Sequence, residues 1–310
     1  MKPTRKLQSD LRRLQTEQSN SAAHDLDQKT ALEIARLINH EDATVAGAVQ
    51  RVLPQIARAI DLVAAALRQG GRLIYVGAGT SGRIAALDAS ECPPTFNVSP
   101  RTVQFLIAGG TRALSSETEA SEDDTRSARA EMKKRKPGKR DVVLGIASSG
   151  RTPFTLAALA EARRRGAKTI ALTCNPDSPL ERAVDFAIVT EVGPEVLTGS
   201  SRMKAGTAHK MVLNMISTGA MTRLGYVYGN LMVNVVPKNE KLTERAIAIL
   251  EQATGASHAT ARRMLKASGN RTPVALVMLA AGVPHDQAVE ALEKTNGNVR
   301  QAIGKAKSKS

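Results

Sequence analysis

A chain of 310 residues with 42% hydrophobic side chains is long enough to bury a full core, as one large domain or as a large and a small one. Aromatic residues make up only 2% and tryptophan is absent, so the core must be built from Leu, Ile, Val, Ala and Met, and the stacking platforms of a single-strand nucleic-acid binder are missing. The formal net charge of +15 is confined to residues 1–13, 126–140 and 294–310; such blocks read as solvated surface with no more than weak, salt-sensitive attraction to polyanions, and a nucleic-acid partner is not expected.

Residues 1–28 form a polar N-terminal extension whose first half reads as disordered. The start lacks the apolar stretch of a secretory signal, and no apolar run approaches ~18 residues, so the expectation is a cytoplasmic protein with no membrane span. TALEIARLINHED (30–42) and AVQRVLPQIARAIDLVAAALRQG (48–70) space their apolar residues as helices, the second stopped by Gly70 and Gly71. From residue 72, strands and helices alternate. RLIYVG (72–77), VQFLIAGG (103–110), DVVLGIA (141–147), KTIALTC (168–174) and FAIVTEV (186–192) read as strands. SGRIAALDA (81–89), the charged SSETEASEDDTRSARAEMKKR (115–135), TPFTLAALAEARRRG (152–166) and RMKAGTAHKMVLNMISTGAMTRLG (202–225) read as helices. That alternation predicts an α/β fold, a doubly wound parallel sheet flanked by helices, over residues 29–239. Short helical stretches punctuated by Gly255, Gly269, Gly282 and Gly297 predict a small all-helical C-terminal domain over 240–302, with 303–310 as a basic tail.

Two turns repeat. GAGTSGR (77–83) and GIASSGR (145–151) share the form G-x-[GA]-[TS]-S-G-R, and each follows a strand and precedes a helix. They therefore fall at the carboxyl ends of strands, where α/β sheets take ligands. The spacing Gly77-x-Gly79-x-x-Gly82 suits a dinucleotide, yet the second strand ends in Ala108-Gly109-Gly110, with no carboxylate for a ribose. One phosphate suits the turns better, since each supplies hydroxyls, free backbone N–H groups and the positive end of a helix dipole. Taken singly, Thr80, Ser81, Ser148 and Ser149 are explained as helix caps; two matching copies favour phosphate. TGSSRMK (198–204) adds Thr198, Ser200, Ser201 and Lys204.

Three carboxylates stand out. Glu91 follows a helix and is stiffened by Pro93 and Pro94, Glu122 lies in SEDD, and Glu195 in GPEVLTGS. Two positioned carboxyls can divide acid and base roles when their surroundings separate their pKa values. The plainer readings are a turn residue for Glu91, a solvated helix face for Glu122 and a loop anchor for Glu195. Cys92 and Cys174 are too few for a disulfide framework or a paired CxxC zinc site. His24, His40, His209, His258 and His285 are scattered and expected at the surface, so no metal is expected.

The stretches NHEDATVAGAV, IYVGAGTSGRIAALDASECPPTF, LIAGG, VVLGIASSGRTPF, CNPDSPL, GPEVLTGSSRMKAGTAHKMVLNMISTGAM and YGNLMVNVVPKNEKL together resemble the N-acetylmuramic acid 6-phosphate etherases, within the sugar-isomerase (SIS) domain superfamily. The resemblance runs from about residue 16 to 300. It implies a lyase that cleaves the D-lactyl ether of N-acetylmuramic acid 6-phosphate to N-acetylglucosamine 6-phosphate and D-lactate, with no metal or nucleotide cofactor. It also implies that Glu91 is the proton donor to the leaving lactate and Glu122 the second acid/base. By the same resemblance the phosphate sits among Thr80, Ser81, Ser148, Ser149 and Thr152, with Ser200 and Lys204 nearby, and Glu195 contacts the sugar. A homodimer with sites near its interface is implied as well. The C-terminal helices resemble a ubiquitin-associated-type bundle, read as packing or dimer scaffold. Asn234 stands where the family pattern leads one to expect Asp, and His209 where it leads one to expect Gln. Two other readings stay open: a non-catalytic sugar-phosphate sensor, as in the related glucokinase regulatory protein, and an aldose–ketose isomerase using Glu195.

Overall fold

The computed structural model describes residues 14–116 and 119–308. Five strands, β1 (Leu73–Gly77), β2 (Val103–Ile107), β3 (Val142–Ile146), β4 (Lys168–Thr173) and β5 (Phe186–Val189), form one sheet in the order β2-β1-β3-β4-β5. Every neighbouring pair is parallel. β1 and β3 are buried at every position, which is why LIYVG and VVLGI are unbroken apolar runs with no alternation. The chain steps from β1 outward to β2, then returns past β1 to β3 and on to β4 and β5. The winding reverses between β1 and β3, and a crevice opens beyond their carboxyl ends.

Helices α1 (Ala31–Asp42), α2 (Val45–Gln50) and α3 (Leu53–Arg68) precede the sheet. α1 starts on a capping box between Thr30 and Glu33. The single helix expected over 48–70 is two, because Pro54 lacks the N–H that would continue α2 but fits the first turn of α3. α4 (Gly79–Phe96) follows β1 and α5 (Thr125–Arg135) precedes β3. α6 (Pro153–Arg164) joins β3 to β4, the single turn α7 (Pro179–Arg182) follows β4, and α8 (Lys204–Leu224) follows β5. A cluster of Ile74, Val76, Val143, Met132 and Leu159 with Phe154 packs one side of the sheet. It is aliphatic but for that one ring, as the composition requires. Buried Asp88 ties α4 in place, accepting from Tyr75 Oη (2.8 Å), Asn214 Nδ2 (2.7 Å) and Ser217 Oγ (3.0 Å).

Two elements differ from expectation near the candidate carboxylates. α4 runs through the two prolines to Phe96 and closes at Asn97, whose φ is 54°. Proline's fixed φ fits a helix, though its missing N–H and its ring's clash with the carbonyl four residues back oppose one; Glu91 nonetheless lies on this helix and not in a turn. The charged stretch 115–135 is helical only from Thr125, because the Asp124 side chain accepts from the N–H groups of Arg126 and Ser127 and starts α5 there. Glu122 falls in the short 3-10 turn before it, Glu119–Asp123.

The second half of the N-terminal extension is ordered in three 3-10 turns, Gln15–Glu17, Ser21–Ala23 and Leu26–Gln28, with Leu14 and Thr16 buried. The expected disorder of residues 1–13 lies outside the described residues. The chain divides into two compact units. One comprises the described residues up to Ala89 with Arg101–Ser217, the other Ser90–Pro100 and the chain from Thr218 onward. In the second unit α9 (Glu240–Thr254), α10 (His258–Ala267), α11 (Thr272–Ala281), α12 (His285–Glu293) and α13 (Val299–Lys307) bury Ile247, Leu250, Leu265, Leu276 and Val277. α13 covers most of the expected tail, with Ala306 4% exposed. Asn234 donates to the Tyr226 carbonyl at 2.9 Å, a bond that an ionised Asp could not donate. Among the described residues no helix is long and apolar enough to cross a membrane.

Candidate active site

The two repeated turns are neighbours in space. β1 and β3 pair with Gly77 opposite Ile146, so both turns leave the sheet side by side at the reversal of winding. The first is tight: a Cβ on Gly77 would lie 2.8 Å from the Gly82 nitrogen, and one on Gly82 would lie 2.5 Å from Ile107 Cγ1. Neither position has room for a side chain. The second turn hangs on the Ser148 carbonyl, which accepts from Asn175 Nδ2 (2.8 Å), the Cys174 N–H (3.0 Å) and Thr173 Oγ1 (3.1 Å). Thr152 occupies the cap position of α6, yet its side chain makes no capping bond.

Both turns open into a cavity of about 630 Å³, the size of a small-ligand site. Thr80, Ser81, Ser148, Ser149, Thr152 and Glu122 all line it. Arg83 is the one cation among its described lining residues, and its guanidinium donates to the carbonyls of Ala113 (2.9 Å) and Ser116 (3.1 Å). Arg83 therefore braces the wall. An anion here is met by hydroxyls, by the N–H groups opening α4 and by the dipoles of α4 and α6. Glu122, half-buried, comes close to that turn. Gly79 has φ +50°, and a Cβ there would lie 3.0 Å from Glu122 Oε1. The missing side chain of Gly79 is what lets the carboxylate approach this turn.

The other sequence candidates stand elsewhere. Glu91 is exposed on α4 and is not among the cavity's lining residues. Ser200 is not either, although its neighbours Gly199 and Ser201 are. Lys204 is 3% exposed and its Nζ bonds Glu41 at 2.5 Å, so its charge is spent on a buried ion pair and does not reach the cavity. Glu195, expected as a sugar contact, is fully buried. Its Oε2 accepts from the Lys204 N–H (2.9 Å) and its Oε1 from the Ala205 N–H (3.0 Å), which caps α8. Burial pushes its carboxyl pKa up, against the pull of those two N–H groups. Glu195 thus anchors its loop to the start of α8 and is not among the cavity's lining residues. His209, expected at the surface, is fully buried. Its Nε2 lies 3.6 Å from Cys174 Sγ, and its Nδ1 has no partner among the described residues. Burial holds this ring neutral, its pKa down to about 4, and pushes the Cys174 thiol up to about 12.

The cavity also contains residues the sequence did not single out: Thr16, Glu17, Arg83, Leu114, Ser115 and Ser116. Arg83 carried a signal, as the last letter of the repeated motif. Ser115 and Ser116 carried a weaker one as a hydroxyl pair next to the Glu122 segment. Thr16 and Glu17 carried none, since their place depends on contacts with residues far along the chain. Among the described residues no three His, Cys, Asp or Glu side chains gather as a metal site.

A parallel sheet that carries hydroxyl-rich turns on two adjacent strand ends, both facing one ligand-sized cavity, is the arrangement of a SIS-type domain. The family model for the SIS domain matches residues 129–218, and that for the glucokinase regulatory protein N-terminal SIS domain matches residues 55–163. The chain is 50% identical over 292 residues to the N-acetylmuramic acid 6-phosphate etherase of Aeromonas hydrophila, covering 94% of this chain and 98% of that one. It is 54% identical over 275 residues to the etherase of Symbiobacterium thermophilum, covering 88% and 91%, and 48% identical over 295 residues to that of Escherichia coli O81, covering 95% and 99%. The chain belongs to the N-acetylmuramic acid 6-phosphate etherase family.

Proposed function

We propose that the chain cleaves the D-lactyl ether of N-acetylmuramic acid 6-phosphate, releasing D-lactate and N-acetylglucosamine 6-phosphate. The observation that carries this reading is the cavity joining both Ser/Thr turns to the Glu122 carboxylate. Thr80, Ser81, Ser148, Ser149 and Thr152 take the C6 phosphate and hold the opened sugar by one end. Its C1 aldehyde acidifies the C2 proton, which a carboxylate removes. Lactate then leaves C3 as a carboxyl donates a proton to its ether oxygen. Water adds to the C2–C3 double bond at C3, and a proton returns to C2. One water is consumed and no electrons are exchanged, so two carboxyls suffice.

Glu122 supplies one of them, as acid/base within the cavity. We assign the donor to the leaving lactate to Glu91. Glu91, exposed on α4, is in this reading supplied by the second copy of a homodimer. The enzyme works in the cytoplasm in this reading, since a sugar phosphate is too polar to cross a bilayer unaided.

Lactate release from N-acetylmuramic acid 6-phosphate, without added metal or nucleotide, tests the proposal. Wild type releases lactate, and Glu122→Gln and Glu91→Gln each lower kcat by roughly 10²-fold or more while staying folded. A folded wild type that binds sugar phosphate but releases no lactate would instead be the non-catalytic sensor.

A further inference from the structure

The N-terminal segment brings a second carboxylate, Glu17, to the cavity wall. Segments near a chain end fray unless they are tied down, and this one is tied at Gln15 and Thr16. The Gln15 N–H donates to Asn175 Oδ1 (2.7 Å), and Gln15 Nε2 donates to Glu191 Oε2 (2.7 Å). Asn175 Nδ2 donates both to Thr16 Oγ1 (3.1 Å) and to the Ser148 carbonyl of the second phosphate turn (2.8 Å). Asn175 and Thr16 are each 1% exposed. One buried amide thus holds the strap and the phosphate turn together, and the residue after Thr16 is presented to the cavity.

The far side of Glu17 is also fitted. Gly199, another lining residue, has φ +79°, and a Cβ there would lie 3.4 Å from Glu17 Oε2. The 199–201 segment thus lies beside the carboxylate that the strap presents. A carboxylate has nothing to offer a phosphate dianion, which it repels. It suits the neutral part of such a ligand, whose hydroxyls are donors. Resting on the sugar-phosphate reading above, we infer that Glu17 is a substrate contact that accepts a hydrogen bond from a sugar hydroxyl beyond the phosphate. It makes the site prefer a sugar phosphate over phosphate alone.

The test is calorimetric titration of wild type, Glu17→Ala and Glu17→Gln with inorganic phosphate and with N-acetylglucosamine 6-phosphate, alongside KM and kcat for lactate release. Glu17 is exposed, so neither substitution threatens the fold. A hydrogen bond to a charged group implies a loss of about 10- to 100-fold in sugar-phosphate affinity for Glu17→Ala. Phosphate binding stays unchanged, KM rises more than kcat falls, and Glu17→Gln, which keeps an acceptor oxygen, recovers part of the loss. Sugar-phosphate binding equal to wild type in Glu17→Ala overturns the inference. So does an equal loss for phosphate and sugar phosphate, which would make the strap a structural brace only. The titrations need no turnover: a wild type that binds the sugar phosphate but releases no lactate removes the etherase reading and leaves Glu17 to be judged on binding. A wild type that binds neither ligand overturns both.

Discussion

Gly79→Ala separates the backbone role of the first turn from its role in admitting Glu122. At φ +50° an alanine pays the left-handed penalty of about 1–2 kcal/mol. Its methyl would also sit 3.0 Å from Glu122 Oε1, inside the roughly 3.3–3.6 Å of even a favourable C–H···O contact. The carboxylate is the end of a flexible side chain, so it gives way and adds little to the folding cost. Its displacement falls on the reaction, where an error of about 1 Å can cost 10²-fold. Gly110 is the control: φ is +70° and nothing lies within 4 Å of a Cβ built there. Urea denaturation should therefore show similar losses of about 1–2 kcal/mol for Gly79→Ala and Gly110→Ala. Lactate release should fall by about 10²-fold in Gly79→Ala alone. If the two variants keep kcat within about twofold of each other, the approach of Glu122 to the turn does not matter to catalysis.

Three further outcomes are expected. Lys204→Met leaves Glu41 in a largely buried place without its partner (side chains 3% and 16% exposed) and should cost about 3–5 kcal/mol, whereas the double variant with Glu41→Leu should recover much of it; a denaturant double-mutant cycle with no coupling would refute this. Because the folded pKa of His209 lies near 4 and its ordinary value is 6.5, its contribution to stability is complete above pH 6.5 and should fall by about 1.4 kcal/mol per pH unit down to about pH 4, where the buried ring resists the proton that the unfolded chain binds. That slope should vanish in His209→Gln, and its persistence would assign it to other groups. Co-expressed Glu91→Gln and Glu122→Gln chains, each inactive alone, should recover about a quarter of wild-type activity in randomly assorted dimers; no recovery would place both glutamates of a site on one chain.

Much of this protein is legible from local sequence. Buried parallel strands appear as apolar runs such as LIYVG and VVLGI, and their alternation with helices implies the sheet. The repeated G-x-[GA]-[TS]-S-G-R turns are legible because a tight turn with no room for a Cβ requires glycine wherever it occurs. Five hydroxyl residues and Glu122 were found this way or through the family resemblance, and all six line the cavity. What local sequence could not determine depends on partners far along the chain. Lys204 looks like a phosphate ligand until Glu41, 163 positions away, takes its charge. Glu195 looks like a base until α8 begins where its two oxygens can cap it. His209 looks like a surface ring until packing buries it beside Cys174. Glu17 has no signal at all, since Asn175 holds its neighbours from about 160 residues on. Strand order and long-range hydrogen bonds made those choices: charge and hydrogen-bonding capacity belong to a side chain, but whether they are spent inside the protein or offered to a ligand is decided only when distant segments meet.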